Sequence, residues 1–162
     1  ARHIKKNINT NNLICVAPDV GGVERTRALS RRINVGIAII DKRRPAPGKS
    51  EVMNIVGNVK NKICVIVDDI IDSGGTIVNA AKALKDKGAK EIYVYITHAV
   101  LSGSAVDKIK KSQIKKLIIT DTIDNSKKIR TSKKIEVISM APTISEAIKR
   151  ISNSTSVSSL FK

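Results

Sequence analysis

Apolar and polar positions fall in blocks whose period changes along the chain. Leu13 to Ala17 is an unbroken apolar run, the pattern of a short strand buried on both faces. Pro18-Asp19-Val20-Gly21-Gly22 reads as a turn, and a helix is expected from Val23 to Ile33. Gly36 to Ile40 is a second strand, and Glu51 to Gly57 returns as a third after an intervening loop. Asn58 to Lys62 is a turn that leads into Ile63 to Val67, another β-branched run suited to a buried strand. After Thr76 the period becomes helical, with Ile77, Ala81 and Leu84 on one face and Gly88 as the stop. Glu91 to Thr97 is a strand ending at His98, Leu101 to Ala105 opens a short helix, and Lys116 to Thr120 and Ile135 to Ser139 are strands. Thr143 is expected to cap the last helix, with Glu146 completing a capping box. Ile144, Ala147, Ile148 and Ile151 should form its buried stripe. Strands and helices alternating in this way predict an α/β fold, a mostly parallel sheet flanked by helices, with a protruding basic loop. One domain is expected over 13–162. The polar, Asn-rich residues 1–12 read as a linker or a truncated edge.

Composition changes the picture in three ways. The chain has 162 residues, enough for one domain with a real core, and aromatics are only 2%, so that core must be aliphatic. No apolar run approaches the ~20 residues of a membrane span. The opening Ala1-Arg2-His3-Ile4-Lys5-Lys6 has no apolar stretch behind it, so no signal peptide is expected, and without an initiator Met it reads as a processed chain or a fragment. Both cysteines, Cys15 and Cys64, sit in apolar runs and read as small buried hydrophobes, which implies a reduced, cytoplasmic setting. The formal charge is +16. Its basic residues are scattered and lack interleaved aromatics for base stacking, which argues against nucleic acid and for an anionic substrate.

The candidate chemistry lies in Ile63 to Thr76. Asp68 and Asp69 stand where the strand should end, followed by the turn Asp72-Ser73-Gly74-Gly75-Thr76 at a helix start. Gly74 and Gly75 let the main chain approach a ligand. Backbone N–H groups of the loop and first helical turn can then face an anion, with the helix dipole favouring negative charge. The Ser73 and Thr76 hydroxyls add donors. A phosphate suits that cradle, while the Asp68–Asp69 pair suits hydroxyl groups or a hydrated Mg²⁺. A phosphate at one end and hydroxyls at the other describe a sugar phosphate.

Two other stretches invite a chemical reading. Gly21-Gly22 at a helix start could be an anion site, although a tight turn alone would need the same residues; Asp19 ends a strand on the side of a parallel sheet where ligands bind. The segment Asp41 to Ser50 carries Lys42, Arg43, Arg44 and Lys49 with Pro45, Pro47 and Gly48. It reads either as an exposed hairpin tip or as a mobile cationic flap over polyphosphate. A lone His such as His98 after a buried strand is more commonly a structural hydrogen-bonder than a ligand or base, and it stands outside the candidate site.

The stretch Ile63 to Thr76 resembles the ribose-phosphate signature of the type I phosphoribosyltransferase fold. With Pro18-Asp19-Val20-Gly21-Gly22, Asp41-Lys42-Arg43-Arg44-Pro45, Glu51-Val52-Met53-Asn54, Thr97-His98, Leu101-Ser102-Gly103 and Ser156 to Phe161 added, the chain is similar to the C-terminal half of the ribose-phosphate pyrophosphokinase family. The resemblance implies a phosphoribosyltransferase-like domain. It also implies transfer of the diphosphoryl group of ATP to the 1-hydroxyl of ribose 5-phosphate with Mg²⁺. By the same resemblance Asp72, Ser73, Gly74, Gly75 and Thr76 would hold the 5-phosphate, and Asp68 and Asp69 the ribose hydroxyls and metal. Asp19 would be a Mg²⁺ ligand, and Lys42 and Arg44 would stabilise charge on the transferring group, Arg44 also binding substrate. Ser73, Ala46 and Ala99 depart from the residues usual at those places. Family members are about twice this length, and their other half supplies much of the adenine site and a metal-binding His that neither His3 nor His98 replaces. The implied partners are a second copy of the chain or a full-length subunit. Three readings stand: a piece of such an enzyme with a complete ribose-phosphate site, a non-catalytic ribose-phosphate-binding or regulatory subunit, and a small phosphoribosyltransferase. The segment Asp41 to Pro45 argues against the third.

Overall fold

The computed structural model describes residues 1–43 and 52–161. A seven-stranded sheet forms from β1 (Leu13–Ala17), β2 (Gly36–Arg43), β3 (Val52–Val56), β4 (Ile63–Ile71), β5 (Glu91–Ala99), β6 (Lys116–Thr120) and β7 (Ile135–Ile138). Their order is β3-β2-β1-β4-β5-β6-β7, and all neighbours are parallel except β2 and β3. The apolar runs account for the centre. β1 is buried along its whole length, as a strand covered on both faces must be.

Pleating sends alternate residues of β1 to different cores. Ile14 and Val16 join Cys64, Ile66, Ile92, Val94, Leu117 and Ile119 on one face, with Ile77, Ala80, Ala81 and Leu84 of α3 (Gly75–Asp86) and Ile109 of α4 (Ala105–Lys111) packed on them. Leu13, Cys15 and Val65 face the other way, against Ile33 of α2 (Val23–Ile33) and Ile4 of α1 (Arg2–Asn7). Burial pushes the thiols of both Cys15 and Cys64 up to about 12, so neither is a ready nucleophile. Among the described residues no helix is long and apolar enough to cross a membrane.

Several elements differ from what the sequence pattern predicts. Residues 2–7 form a helix whose Ile4 is almost fully buried, so this segment is packed against the sheet. The reason is that Ile4 on the helix and Ile8 in the extended residue just after it both bury against Leu13, Cys15, Ile33 and Val65. β4 continues to Ile71 because β5 continues to Ala99 and pairs with it, Asp68 opposite Ile96 and Ile71 opposite Ala99. Asp68 and Asp69 therefore lie within the strand, not beyond it. After the single turn α5 (Ser126–Ile129), the last helix, α6 (Ala141–Ser152), starts two residues before Thr143, with Pro142 in its first turn and no side-chain cap. Its entry is fixed instead by Asp121, which accepts from Met140 N (2.7 Å) and the Ser139 hydroxyl. Glu146 pairs with Arg150 at 2.7 Å instead of closing a capping box.

The stripe expected to be buried on α6 is open: Ile144, Ile148 and Ile151 are 52%, 62% and 67% exposed. Helical period shows only that these residues share a face, and among the described residues nothing covers it. Ile148→Ser should therefore change stability by no more than about 0.5 kcal/mol. Leu84→Ala, at a fully buried position of α3, should cost about 2–5 kcal/mol. Urea unfolding checks both; a large loss at Ile148 would show that the stripe is covered in solution.

Candidate functional site

The strand order reverses between β1 and β4. The chain leaves β1 for β2 on one side, and β4 onward builds out on the other. Such a switch point opens a crevice beyond the carboxyl ends of the strands. Asp19 stands just past β1, and Asp68 and Asp69 lie in the C-terminal part of β4. The sheet thus brings all three carboxylates to one end of one crevice.

β4 passes directly into the loop Asp72 to Gly74, and α3 begins at Gly75. Gly74 has φ +76°, a left-handed conformation that glycine adopts without strain, and a Cβ there would meet Ala105 at 3.7 Å. The loop is held from outside. Ser102 N donates to the Asp72 carbonyl (3.2 Å), and Lys108 Nζ of α4 donates to the Ser73 carbonyl (3.2 Å). Asp68, Ile70, Ile71 and Asp72 to Ile77 line a cavity of about 170 Å³. Its floor is the N-terminal end of a twelve-residue helix, whose first-turn N–H groups and dipole favour an anion.

The acidic end carries a residue absent from the sequence-based site. Arg25 of α2 places Nη1 at 2.5 Å from Asp68 Oδ1 and 2.7 Å from Asp69 Oδ1. Asp68 Oδ1 also accepts the Asp69 backbone N–H (3.0 Å). Burial pushes the half-buried Asp68 carboxyl up, against the pull of that N–H and of Arg25. The Arg25 hydrogen bond holds the exposed Asp69 carboxyl below the usual range. The same bond to Asp69, with the nearby charges of Asp69, Asp68 and Asp19, raises the Arg25 guanidinium. A signal for Arg25 was present: it sits in the first turn of a helix, where a cation opposes the dipole and needs a carboxylate partner. What the sequence does not show is that its partners come from β4, Asp68 being 43 residues further along the chain and Asp69 the next.

The remaining candidates are placed as follows. Asp19 Oδ1 accepts from Gly22 N (2.9 Å), so Asp19 and Gly22 together form the turn that starts α2. Lys42 is on β2, opposite Met53 of β3, and so stands on a hairpin stem two strands from β4. Arg44, and with it the tip of the basic segment, lies outside the described residues. His98 Nδ1 is 3.0 Å from the Thr122 hydroxyl. Among the described residues there is no group of three or more His, Cys, Asp or Glu side chains that could hold a metal ion. Carboxylate oxygens are nevertheless the donor type that Mg²⁺ takes. That ion is usually bound by one or two carboxylates, several waters and substrate phosphates, a donor set to which Asp19, just past the carboxyl end of β1, would contribute one carboxylate.

The model of the phosphoribosyl synthetase-associated domain matches residues 43–162. The chain belongs to this family. A ribose-phosphate pyrophosphokinase of Agrobacterium fabrum is 51% identical over 161 residues, which cover 99% of this chain and 52% of that one. The enzyme of the same name from Rhizobium meliloti is 52% identical over the same shares. This member of the phosphoribosyl synthetase-associated domain family thus spans about half the length of the curated relatives it matches. Among solved structures, the phosphoribosylpyrophosphate synthetase of Mycobacterium smegmatis superposes with a TM-score of 0.84 at 29% identity, over 94% of this chain and 49% of that one. An adenine phosphoribosyltransferase aligns with a TM-score of 0.57 at 18% identity, over 73% of each chain, a likeness of fold alone. The family thus has the phosphoribosyltransferase-like α/β sheet.

Proposed function

We propose that this chain is the ribose 5-phosphate-binding half of a ribose-phosphate diphosphokinase. In that role it would hold ribose 5-phosphate while the diphosphoryl group of ATP passes to its 1-hydroxyl in a cytoplasmic step of nucleotide synthesis. The observation that carries this reading is the junction of β4 and α3: two aspartates run straight into a glycine loop and a helix N-terminus. Asp72, Ser73, Gly74, Gly75 and Thr76 bind the 5-phosphate through backbone N–H groups and hydroxyls. Asp68 and Asp69 accept from the ribose hydroxyls. Asp19 holds Mg²⁺, which supplies charge neutralisation for the transferring phosphoryl oxygens. Lys42 and Arg44 lend positive charge to the same group, in keeping with a reaction that needs positioning and charge more than covalent chemistry.

Binding of ribose 5-phosphate, followed by calorimetry, tests the site. Asp68→Ala and Thr76→Ala each remove a hydrogen bond to a hydroxyl or to a charged group, and each should weaken binding by about 1.5–3 kcal/mol. Unchanged affinity in both variants would move the site elsewhere.

One observation favours a second reading. Both tyrosines are held away from the proposed cradle, Tyr95 by His3 and Tyr93 by Glu91, so the same site would also suit a non-catalytic ribose-phosphate-binding subunit that joins a full-length partner or a second copy. An assay with and without a separately supplied N-terminal half of a relative separates the two. Turnover restored by that half supports the enzyme, and inactivity with it supports the subunit.

A further inference from the structure

Successive side chains of a strand point to opposite faces of the sheet. Asp68 and Asp69 are successive residues of β4, so the pleat alone would aim one carboxylate inward and the other to solvent. The two do differ in this sense, their side chains being 17% and 60% exposed. Yet one nitrogen, Arg25 Nη1, lies within hydrogen-bond distance of an oxygen of each. The backbone that carries Arg25 is fixed by the burial of Thr26, Ser30 and Ile33 along α2. Asp19, at the turn that starts the same helix, adds a third carboxylate to the field around the guanidinium.

We propose that Arg25 is a positioning residue that turns a divergent pair of aspartates into a convergent receptor for the vicinal hydroxyls of a ribose. The inference rests on the sugar-phosphate reading of this site. Arg25 engages Oδ1 of each aspartate and leaves each carboxylate a second oxygen. Two acceptors drawn to one cation match two neighbouring hydroxyls, and a sugar lacking one of them leaves an acceptor unmatched. The phosphate cradle does not use Arg25: its donors come from the loop and α3, with Ser102 and Lys108 bracing it from the other side. Arg25 therefore governs which sugar is held, and the loop governs that a phosphate is held.

The experiment is calorimetric titration of the chain with ribose 5-phosphate, 2-deoxyribose 5-phosphate and inorganic phosphate, for wild type, Arg25→Ala and Arg25→Lys. The wild type should prefer the ribose compound over the 2-deoxy compound by about tenfold or more. Arg25→Ala should bring that ratio close to one while inorganic phosphate binds as before. Arg25→Lys keeps a cation with a narrower reach and should restore part of the preference. An Arg25→Ala chain that discriminates as well as the wild type overturns the proposal, and so does one that loses all three ligands together, which marks a role in folding. A wild type that binds inorganic phosphate but neither sugar phosphate overturns the sugar-phosphate reading itself, and the role of Arg25 with it.

Discussion

Replacing Lys42 with alanine, in an enzyme that contains this domain, should lower kcat by roughly 10²–10³, the loss of one preorganised donor to a charge-bearing transition state. KM for ribose 5-phosphate should move much less. The reason is placement. The proposed ribose-phosphate site is built from β4 and α3, and Lys42 is on β2, two strands away beyond β1. Its backbone is paired with Met53 in an antiparallel ladder, so its starting point is rigid. A cation on a paired strand is aimed more reproducibly than one on a loop. It can serve charge that develops during transfer without contributing to the ground-state hold on the sugar. Steady-state kinetics with both substrates varied would check this. A variant with normal kcat and a raised KM would show that Lys42 binds substrate and nothing more.

The fold was legible wherever burial on both faces leaves a contiguous mark. β1 and the first half of β4 are such runs, and the helix after Thr76 announces its buried face at Ile77, Ala81 and Leu84. Legibility failed where an outcome depends on a partner distant in sequence. The length of β4 is set by β5, so the strand passes through two carboxylates that in isolation look like its end. Ile144, Ile148 and Ile151 have the spacing of a core face, but spacing cannot say whether anything lies opposite, and nothing described does. In the candidate site, the loop from Asp72 to Thr76 could be read because its residues are consecutive. Arg25 could be read only as a first-turn cation in want of a carboxylate; that it meets Asp68 and Asp69 follows from the strand order that sets β4 beside β1.

Assayed by itself, the 162-residue chain should bind ribose 5-phosphate weakly and make little or no phosphoribosyl pyrophosphate. The proposed ribose-phosphate elements, from Asp19 to Thr76, are all local to the chain. ATP recognition is different. The chain has two Tyr, one Phe and no Trp with which to offer an adenine a stacking platform. Both tyrosines are engaged elsewhere. Tyr95 OH is 2.9 Å from His3 Nδ1, and Tyr93 OH donates to Glu91 at 3.2 Å; both rings pack on the core face that α1 and α2 cover. Phe161 belongs to the short terminal turn Ser158–Phe161. Holding two reactants in register can supply roughly 7–11 kcal/mol of the barrier reduction, so a site that holds the acceptor without fixing the donor should forfeit most of the rate. Adding the N-terminal half of a relative, or a full-length subunit, should be required for turnover. The readout is AMP release from ATP in the presence of ribose 5-phosphate and Mg²⁺. Robust release by the purified chain alone would mean that ATP is bound and oriented within these residues, and would require a nucleotide site that uses neither tyrosine.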